Sequence, residues 1–271
     1  VFKKGELRRK VVFTLGILFV FRLGAGIVIP YIDTSAITSS ATSSGIFGIM
    51  NMLGGGTLEK FSLFSLGVSP YITSSIIIEL LAMDVVPALT QWNKEGNTGK
   101  KKKDKVTRVL TLALAIIQGG SLTYAFDKGY SILANSSIWT YVYVVTVMAA
   151  GSMFTMWLGD QITIKGVGNG TSLLIFTGIV ANLPNSFISS FKSMVTFGST
   201  YKTVTSIAWY VLFVLVYLAI VVFVVFTEGA VRKIPIIYAT NTQTVMHTKE
   251  STNLPIKINS SSVIPVIFAA S

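Results

Sequence analysis

Long apolar runs of about twenty residues recur along this chain of 271 residues, and polar loops separate them. A helix needs about 20 apolar residues to cross the hydrocarbon core of a bilayer. The composition agrees, because only 12% of the residues are charged, whereas soluble domains carry roughly 25%. The sequence therefore predicts an all-α, polytopic membrane helix bundle, with six crossings and the start of a seventh at residues 11–30, 63–83, 109–126, 139–159, 171–190, 207–227 and from 260 onward.

The basic residues fall almost entirely on alternate loops. With a cytoplasmic N-terminus, 17 of the 22 lysines and arginines lie in cytoplasmic segments, and only four lie on the other side. This asymmetry follows the positive-inside rule for membrane proteins. It predicts a multi-pass protein with its N-terminus in the cytoplasm and with cytoplasmic segments at 1–10, 84–108, 160–170 and 228–259.

Residues 44–83 do not have the pattern of an ordinary crossing. A short apolar stretch runs into three glycines, Gly54–Gly56, and a charged pair follows. The next apolar run carries Gly67 and Pro70 near its start. Because hydrocarbon offers no partner for freed backbone groups, irregular backbone at membrane depth occurs where protein covers it or where it lines a cavity. We therefore expect this segment to lie inside the bundle.

A loose internal repeat points to transport. The stretch Val68–Ser74 recurs as Val263–Ala269, with Val, Pro and Ile at the same offsets. Interrupted apolar segments at corresponding places in two halves typically mark a transport site. One interpretation is a small-solute secondary transporter. An enzyme is disfavoured, because the chain has no cysteine and its single histidine, His247, lies in a polar loop.

Two predicted cytoplasmic loops, 94–108 and 228–259, are rich in lysine and arginine. One interpretation is that these charges set the topology and contact anionic lipid. The other is that they bind a polyanionic partner such as a ribosome, whose RNA attracts lysine and arginine through phosphate neutralisation. The sequence leaves both interpretations open.

Four long segments of the chain resemble the SecY family, whose members are central subunits of the bacterial protein-conducting channel. The resemblance lies in LFVFRLG, in MNMLGGGTLEKFSLFSLGVSPYITSSIIIELL, in MWLGDQITIKGVGNGTSLLIFTGIVANLP and in STNLPIKINSSSVIPVIFAAS. It implies a ten-helix, pseudo-two-fold fold. Residues 1–190 would hold the first half, including a plug at 44–61, and 191–271 the start of the second, with helix six, the loop at 228–259 and the start of helix seven; the remainder would be absent.

The resemblance implies a channel that passes unfolded secretory chains across the plasma membrane and membrane helices sideways into it, without catalysis. A ring of bulky apolar side chains would seal the pore around its passenger. By motif, the ring members are Val68, Ile72, Ile175 and Ile267. The plug would use Ile46, Phe47, Ile49, Met50, Leu53, Gly54, Gly55 and Gly56, with the glycines as a hinge. Polar residues of spans two and three, near the lateral gate, are Thr73, Ser74 and Gln118.

The same resemblance implies partners and no cofactor. These partners are the SecE and SecG subunits, a translating ribosome with its RNA and exit-site proteins or the SecA motor, a nascent polypeptide with a signal sequence, and anionic lipids. The tip of the second basic loop, 240–248, has no lysine or arginine, which shifts the expected docking role toward the first loop. The docking candidates are Lys100, Lys101, Lys102, Lys103, Arg232, Lys233 and Lys249.

Overall fold

The computed structural model describes residues 5–33, 51, 55–83, 85–133, 135, 137–195, 200–235 and 253–257. Seven helices and two strands lie in this part of the chain. In order they are α1 (Gly5–Gly24), α2 (Ser69–Leu81), α3 (Pro87–Lys94), α4 (Asn97–Tyr130), α5 (Ile138–Lys165), α6 (Gly170–Met194), α7 (Thr200–Gly229), β1 (Val231–Pro235) and β2 (Asn253–Lys257).

Contacts divide the chain into two compact units. The first comprises residues 1–186 with 267–271, and the second comprises 187–266. Within the described ranges, four helices are long and apolar enough to cross a membrane, and they correspond to α4, α5, α6 and α7. They match the third to sixth predicted crossings, so the prediction of an all-α membrane bundle is confirmed. The predicted crossing from residue 260 onward lies outside the described residues.

The first predicted crossing, 11–30, is wrong at its end. Helix α1 stops at Gly24, the chain turns at residues 25 and 26, and an isolated antiparallel bridge then pairs Val28 with Ser62. The backbone beyond α1 pairs with the segment before α2: the Ile29 N–H donates to the Phe61 carbonyl at 3.0 Å, and the Leu63 N–H donates to the Ile27 carbonyl at 2.8 Å. These hydrogen bonds satisfy backbone N–H and carbonyl groups as bonds within a helix would. The apolar run therefore continues beyond α1 without being helical.

The second crossing is broken, as the sequence predicts. Helix α2 has only 13 residues, and consecutive turns precede it from residue 57 onward. No side chain caps its start, yet its first donors are paired or absent. The Ser69 N–H donates to Leu66 at 3.3 Å, the N–H groups of Tyr71 and Ile72 donate to Val68 at 3.1 Å, and Pro70 has no N–H. Backbone satisfied in this way can lie at membrane depth.

Two of the predicted cytoplasmic segments contain regular structure. The segment 84–108 holds the short helix α3 and the first three turns of α4. The segment 228–259 holds β1 and β2, which pair antiparallel with Val231 opposite Lys257 and Lys233 opposite Pro255. Flanking helices and paired strands thus extend the regular structure beyond the apolar runs, which hydropathy alone cannot predict.

Two apolar clusters form the core of the first unit. One gathers side chains from the extended segments, from α4 and from α5, including Phe61, Phe126 and Met148. The other joins α1, α5 and α6 around the start of α2, and its Phe64 ring stacks on Phe21 with centroids 5.6 Å apart. Both clusters surround the irregular segment before α2, which is therefore covered by protein.

Small residues allow the helices to approach this segment closely. A Cβ atom added to Gly151 of α5 would lie 1.9 Å from the Leu63 carbonyl oxygen, so the backbones are in direct contact there. The neighbouring Ser152 hydroxyl donates to the Gly67 carbonyl at 3.2 Å. Close approach through glycine and serine is the usual basis of helix packing in membranes. It fixes the irregular segment against α5.

Candidate functional site

The predicted ring residues Val68 and Ile72 lie one turn apart at the start of α2. Val68 is buried in the second apolar cluster with Leu174 of α6, and Ile72 packs half-buried at the edge of the same cluster. The side chains therefore share one helix face, as their spacing predicts. Ile175, the residue after Leu174, is half-buried on α6. The fourth member, Ile267, lies outside the described residues.

Two of the predicted plug residues, Gly55 and Gly56, form a tight turn against α6. Their φ angles are 76° and 78°, a region that glycine adopts at little cost. A Cβ atom on Gly55 would lie 2.7 Å from the Gly178 Cα, and one on Gly56 would lie 3.0 Å from the Asn182 amide. The glycines thus provide close backbone contact with α6, in addition to the conformational freedom that the sequence predicts.

Polar contacts hold this glycine turn on two further sides. The Arg22 guanidinium at the end of α1 donates to the Gly55 carbonyl at 3.4 Å. The Gly56 N–H donates to the Asn51 carbonyl at 2.8 Å, and the Asn51 side-chain oxygen accepts the Glu59 N–H at 3.2 Å. Arg22 therefore connects α1 to the turn. The other predicted plug residues, from Ile46 to Gly54, lie outside the described residues.

One of the predicted gate residues, Ser74, lies at the contact between α2 and α4. The Ser74 hydroxyl, fully buried, donates to the Thr107 carbonyl of α4 at 2.8 Å. The Thr73 hydroxyl donates within α2 to the Ser69 carbonyl at 3.1 Å. Gln118 lies half-buried on α4, and its side-chain oxygen is buried without a hydrogen-bond partner among the described residues. The Ser74 hydroxyl therefore connects two helices, whereas the Thr73 hydroxyl makes its hydrogen bond within α2.

The first basic loop has a defined structure in which its lysines differ. Lys102 forms a salt bridge with Glu95 at 3.0 Å and lies 6.0 Å from the centre of the Trp92 ring. Lys103 donates to the Asn93 side chain at 3.4 Å. Lys100 and Lys101 are exposed on the first turn of α4. The structure thus separates two lysines that contact α3 from two that project from the helix.

In the second unit, the pairing of β1 and β2 places the basic residues on opposite faces. Arg232 lies opposite Ile256, whereas Lys233 lies on the other face, beside Lys257 across the strand pair. The sequence analysis did not include Lys257, because only the strand register brings it close to Lys233. Lys249 lies outside the described residues.

Comparisons with known proteins identify the family. A family model described as SecY matches residues 62–271. The chain belongs to the SecY family. The protein translocase subunit SecY of Bacillus subtilis (strain 168) is 42% identical over 267 residues, which cover 97% of this chain and 62% of the relative. The chain thus spans about three-fifths of the length of this SecY protein.

Solved structures agree with the family at the level of the fold. A structure of a protein conducting channel matches the whole chain and 57% of its own length, with a TM-score of 0.63 and 19% identity. Sec61 in the canine ribosome-channel complex from the endoplasmic reticulum matches over the same shares, with a TM-score of 0.61 and 19% identity. The SecY-like helix bundle expected from the sequence motifs is therefore confirmed.

The sequence analysis missed most of the residues that position the site. Gly178 and Asn182 of α6, Thr107 of α4 and Trp92 of α3 each contact a predicted functional residue. The partners of Gly178, Asn182 and Thr107 lie far away along the chain, and Trp92 and Lys102 lie on different helices, so no local pattern connects these pairs. Only the glycine of α6, at the centre of a crossing, could have suggested a close backbone approach.

Proposed function

We propose that the chain forms the first part of the pore of a protein-conducting channel, which passes unfolded secretory chains across the membrane and membrane helices sideways into it. One observation carries this proposal: the apolar helix α2 begins behind an irregular segment that other helices cover, with Val68 and Ile72 at its start. In a SecY protein this arrangement supports an apolar constriction that excludes water and ions.

The constriction would use Val68, Ile72, Ile175 and Ile267, the last beyond the described residues. Ile72 is the best placed of the described members, since it lies half-buried at the edge of its cluster. A side chain in this position can contact a passing polypeptide without a shift of α2. Val68, buried at 7% exposure, would move into the pore only when α2 shifts.

The plug would be the segment 44–61, with the turn at Gly55 and Gly56 as its seat on α6. The seat is supported by the backbone contact with Gly178 and by the hydrogen bond from Arg22. We expect the plug to close the pore at rest and to leave this seat during transport. The glycine turn would then act as the contact that is broken and formed again in each cycle.

The lateral gate would lie between α2 and the predicted seventh crossing, which is outside the described residues, with Thr73 and Ser74 on α2 and Gln118 on α4. The Ser74 hydrogen bond to α4 supports a gate side in which α2 and α4 move together. The unpaired oxygen of Gln118 supports a contact with a group that enters the site during transport, because a buried acceptor without a partner is costly.

We further propose that the N-terminus is cytoplasmic and that the chain works in the bacterial plasma membrane with SecE, SecG and a nascent polypeptide that carries a signal sequence. A ribosome or the SecA motor would supply the driving force and dock at the basic ends of α4 and β1. The ribosome is supported by the likeness to Sec61, which was solved in a ribosome-channel complex. Anionic lipid would contact the same cytoplasmic side.

The decisive experiment is site-specific photocrosslinking to a stalled nascent chain in membranes that contain the full-length protein. A photoreactive amino acid replaces Ile72, and a matched control replaces Val142, which is exposed on α5. We expect crosslinks to the nascent chain from position 72 and none from position 142. A small-solute transporter would give no crosslink from either position, and that result would refute the channel.

A further inference from the structure

Four exposed aromatic side chains lie at one end of the first unit. Trp139 is 78% exposed, Tyr31 65%, Tyr143 41% and Tyr130 39%. They come from three elements: the segment after α1, the end of α4 and the start of α5. We call these four residues the outer aromatic cluster.

Backbone and ring contacts keep the members at one level. The rings of Tyr31 and Tyr143 meet edge to face with centroids 5.8 Å apart. The Asp33 N–H donates to the Ile132 carbonyl at 2.8 Å, which ties the segment after α1 to the segment after α4. Tyr143 follows Trp139 by four residues, so both project from the same face of α5.

A buried polar contact makes this end of the molecule rigid. Asp127 of α4 is buried, accepts the Leu133 N–H at 3.3 Å and accepts the hydroxyl of Tyr141 of α5. The corner between α4 and α5 is therefore fixed by side-chain bonds in addition to packing. The exposed rings beside it are held in place, even though solvent or lipid surrounds them.

The distance to the opposite end matches the thickness of a bilayer. Trp139 and Trp157 lie 18 residues apart on α5, about 27 Å along the axis. On α4, Tyr130 lies 22 residues from Arg108, about 33 Å, and Arg108 pairs with Asp160 of α5 at 2.8 Å. Both separations agree with a hydrocarbon core of about 30 Å. The aromatic end and the charged pair thus fit the two boundaries of one membrane.

We propose that the outer aromatic cluster binds the headgroup layer of the outer leaflet and sets the depth of the first unit in the membrane. Tryptophan and tyrosine favour this layer, because their rings are apolar and their N–H and O–H groups remain hydrated. The occupant is lipid rather than protein, because the apolar faces of two membrane-crossing helices continue directly below the cluster. The choice of the outer leaflet rests on the proposed cytoplasmic N-terminus, and the proposal does not depend on channel activity.

The test measures depth by electron paramagnetic resonance of spin labels in vesicles of phosphatidylethanolamine and phosphatidylglycerol. Since these 271 residues contain no cysteine, labels can be placed at Trp139→Cys, at Ala150→Cys and at Ser137→Cys. We expect the label at 139 at the headgroup level and the label at 150 about 16 Å deeper, as 11 residues of helix require. Equal depths of the labels at 139 and 150 would overturn the proposal. A label at 139 that neither lipid-soluble nor water-soluble relaxation agents reach would also overturn it, because such shielding would indicate a protein partner.

A second arm tests whether the cluster determines the depth. In the Ser137→Cys background, Tyr31, Trp139 and Tyr143 are replaced by leucine, which prefers hydrocarbon. We expect the label to move about 3 Å toward the bilayer centre. The matched control replaces the exposed apolar residues Ile116, Ile117 and Ala150 by leucine, and the label should not move. An unchanged depth in the triple aromatic variant would overturn the proposal. If that variant does not fold, the depths of the labels at 139 and 150 still decide the question.

Discussion

Replacing Gly55 with alanine should open the resting channel, because the added methyl group cannot fit at the contact with α6. Its Cβ would lie 2.7 Å from the Gly178 Cα and 2.8 Å from the Gly178 oxygen, both backbone atoms that cannot rotate away. In addition, alanine at φ 76° is strained, and such strain costs about 1–3 kcal/mol. Each 1.4 kcal/mol changes a population about tenfold, so the seated plug should become roughly 5-fold to 150-fold less favoured.

The assay is the ion conductance of idle channels in planar bilayers. We expect the Gly55→Ala variant to show an increased resting conductance, in the same direction as a deletion of residues 46–58. Gly96→Ala is the matched control: Gly96 has a φ of 64°, but its added methyl group would meet nothing within 4 Å. The reasoning would be refuted if Gly55→Ala and Gly96→Ala had the same resting conductance as the unchanged protein.

Three further predictions concern the helix contacts and the basic surface. Ser74→Ala removes the buried hydrogen bond to Thr107 and should lower the free energy of unfolding by about 1 kcal/mol, as measured by denaturant titration in bicelles. The control variant Ser75→Ala should leave it unchanged. Equal effects of the two substitutions would contradict a specific role of the bond. Arg108→Gln should lower stability by less than about 1 kcal/mol, and less at high salt, because both partners of its salt bridge are partly exposed; a salt-independent loss above 2 kcal/mol would show that the pair is desolvated. Replacing Lys100 to Lys103 with serine should weaken ribosome binding and flatten its dependence on salt concentration, and an unchanged slope in a salt titration would exclude this surface as the docking site.

Hydropathy and charge predict the crossings because membranes impose a simple rule on long apolar runs. Helices α4 to α7 follow that rule, and glycine with proline correctly predicts the break before α2. The end of α1 could not be predicted, since residues 27–29 are as apolar as those of a membrane helix, yet they bond to the backbone of residues 61–63 instead. Pairing between segments so far apart along the chain leaves no pattern in the local sequence.

The sequence predicts members of the candidate site but not the contacts that these residues make. Sequence motifs identify Val68, Ile72 and the glycines, and the family match supports the same fold. The seat on Gly178, the Ser74 bond to α4 and the separation of Lys102 from Lys101 depend on how helices meet in space. These contacts decide which substitution is disruptive and which is tolerated.

The paired start of α2 has a consequence for how dry the pore can be. Water enters a narrow apolar passage most readily where it finds a donor or an acceptor to bind, and a helix that begins at membrane depth normally exposes several such donors. Here Ser69, Tyr71 and Ile72 use their N–H groups within the chain, and Pro70 has none. In the proposed pore, these N–H groups would therefore offer no donor to a file of water molecules, and proton leakage along such a file would be suppressed.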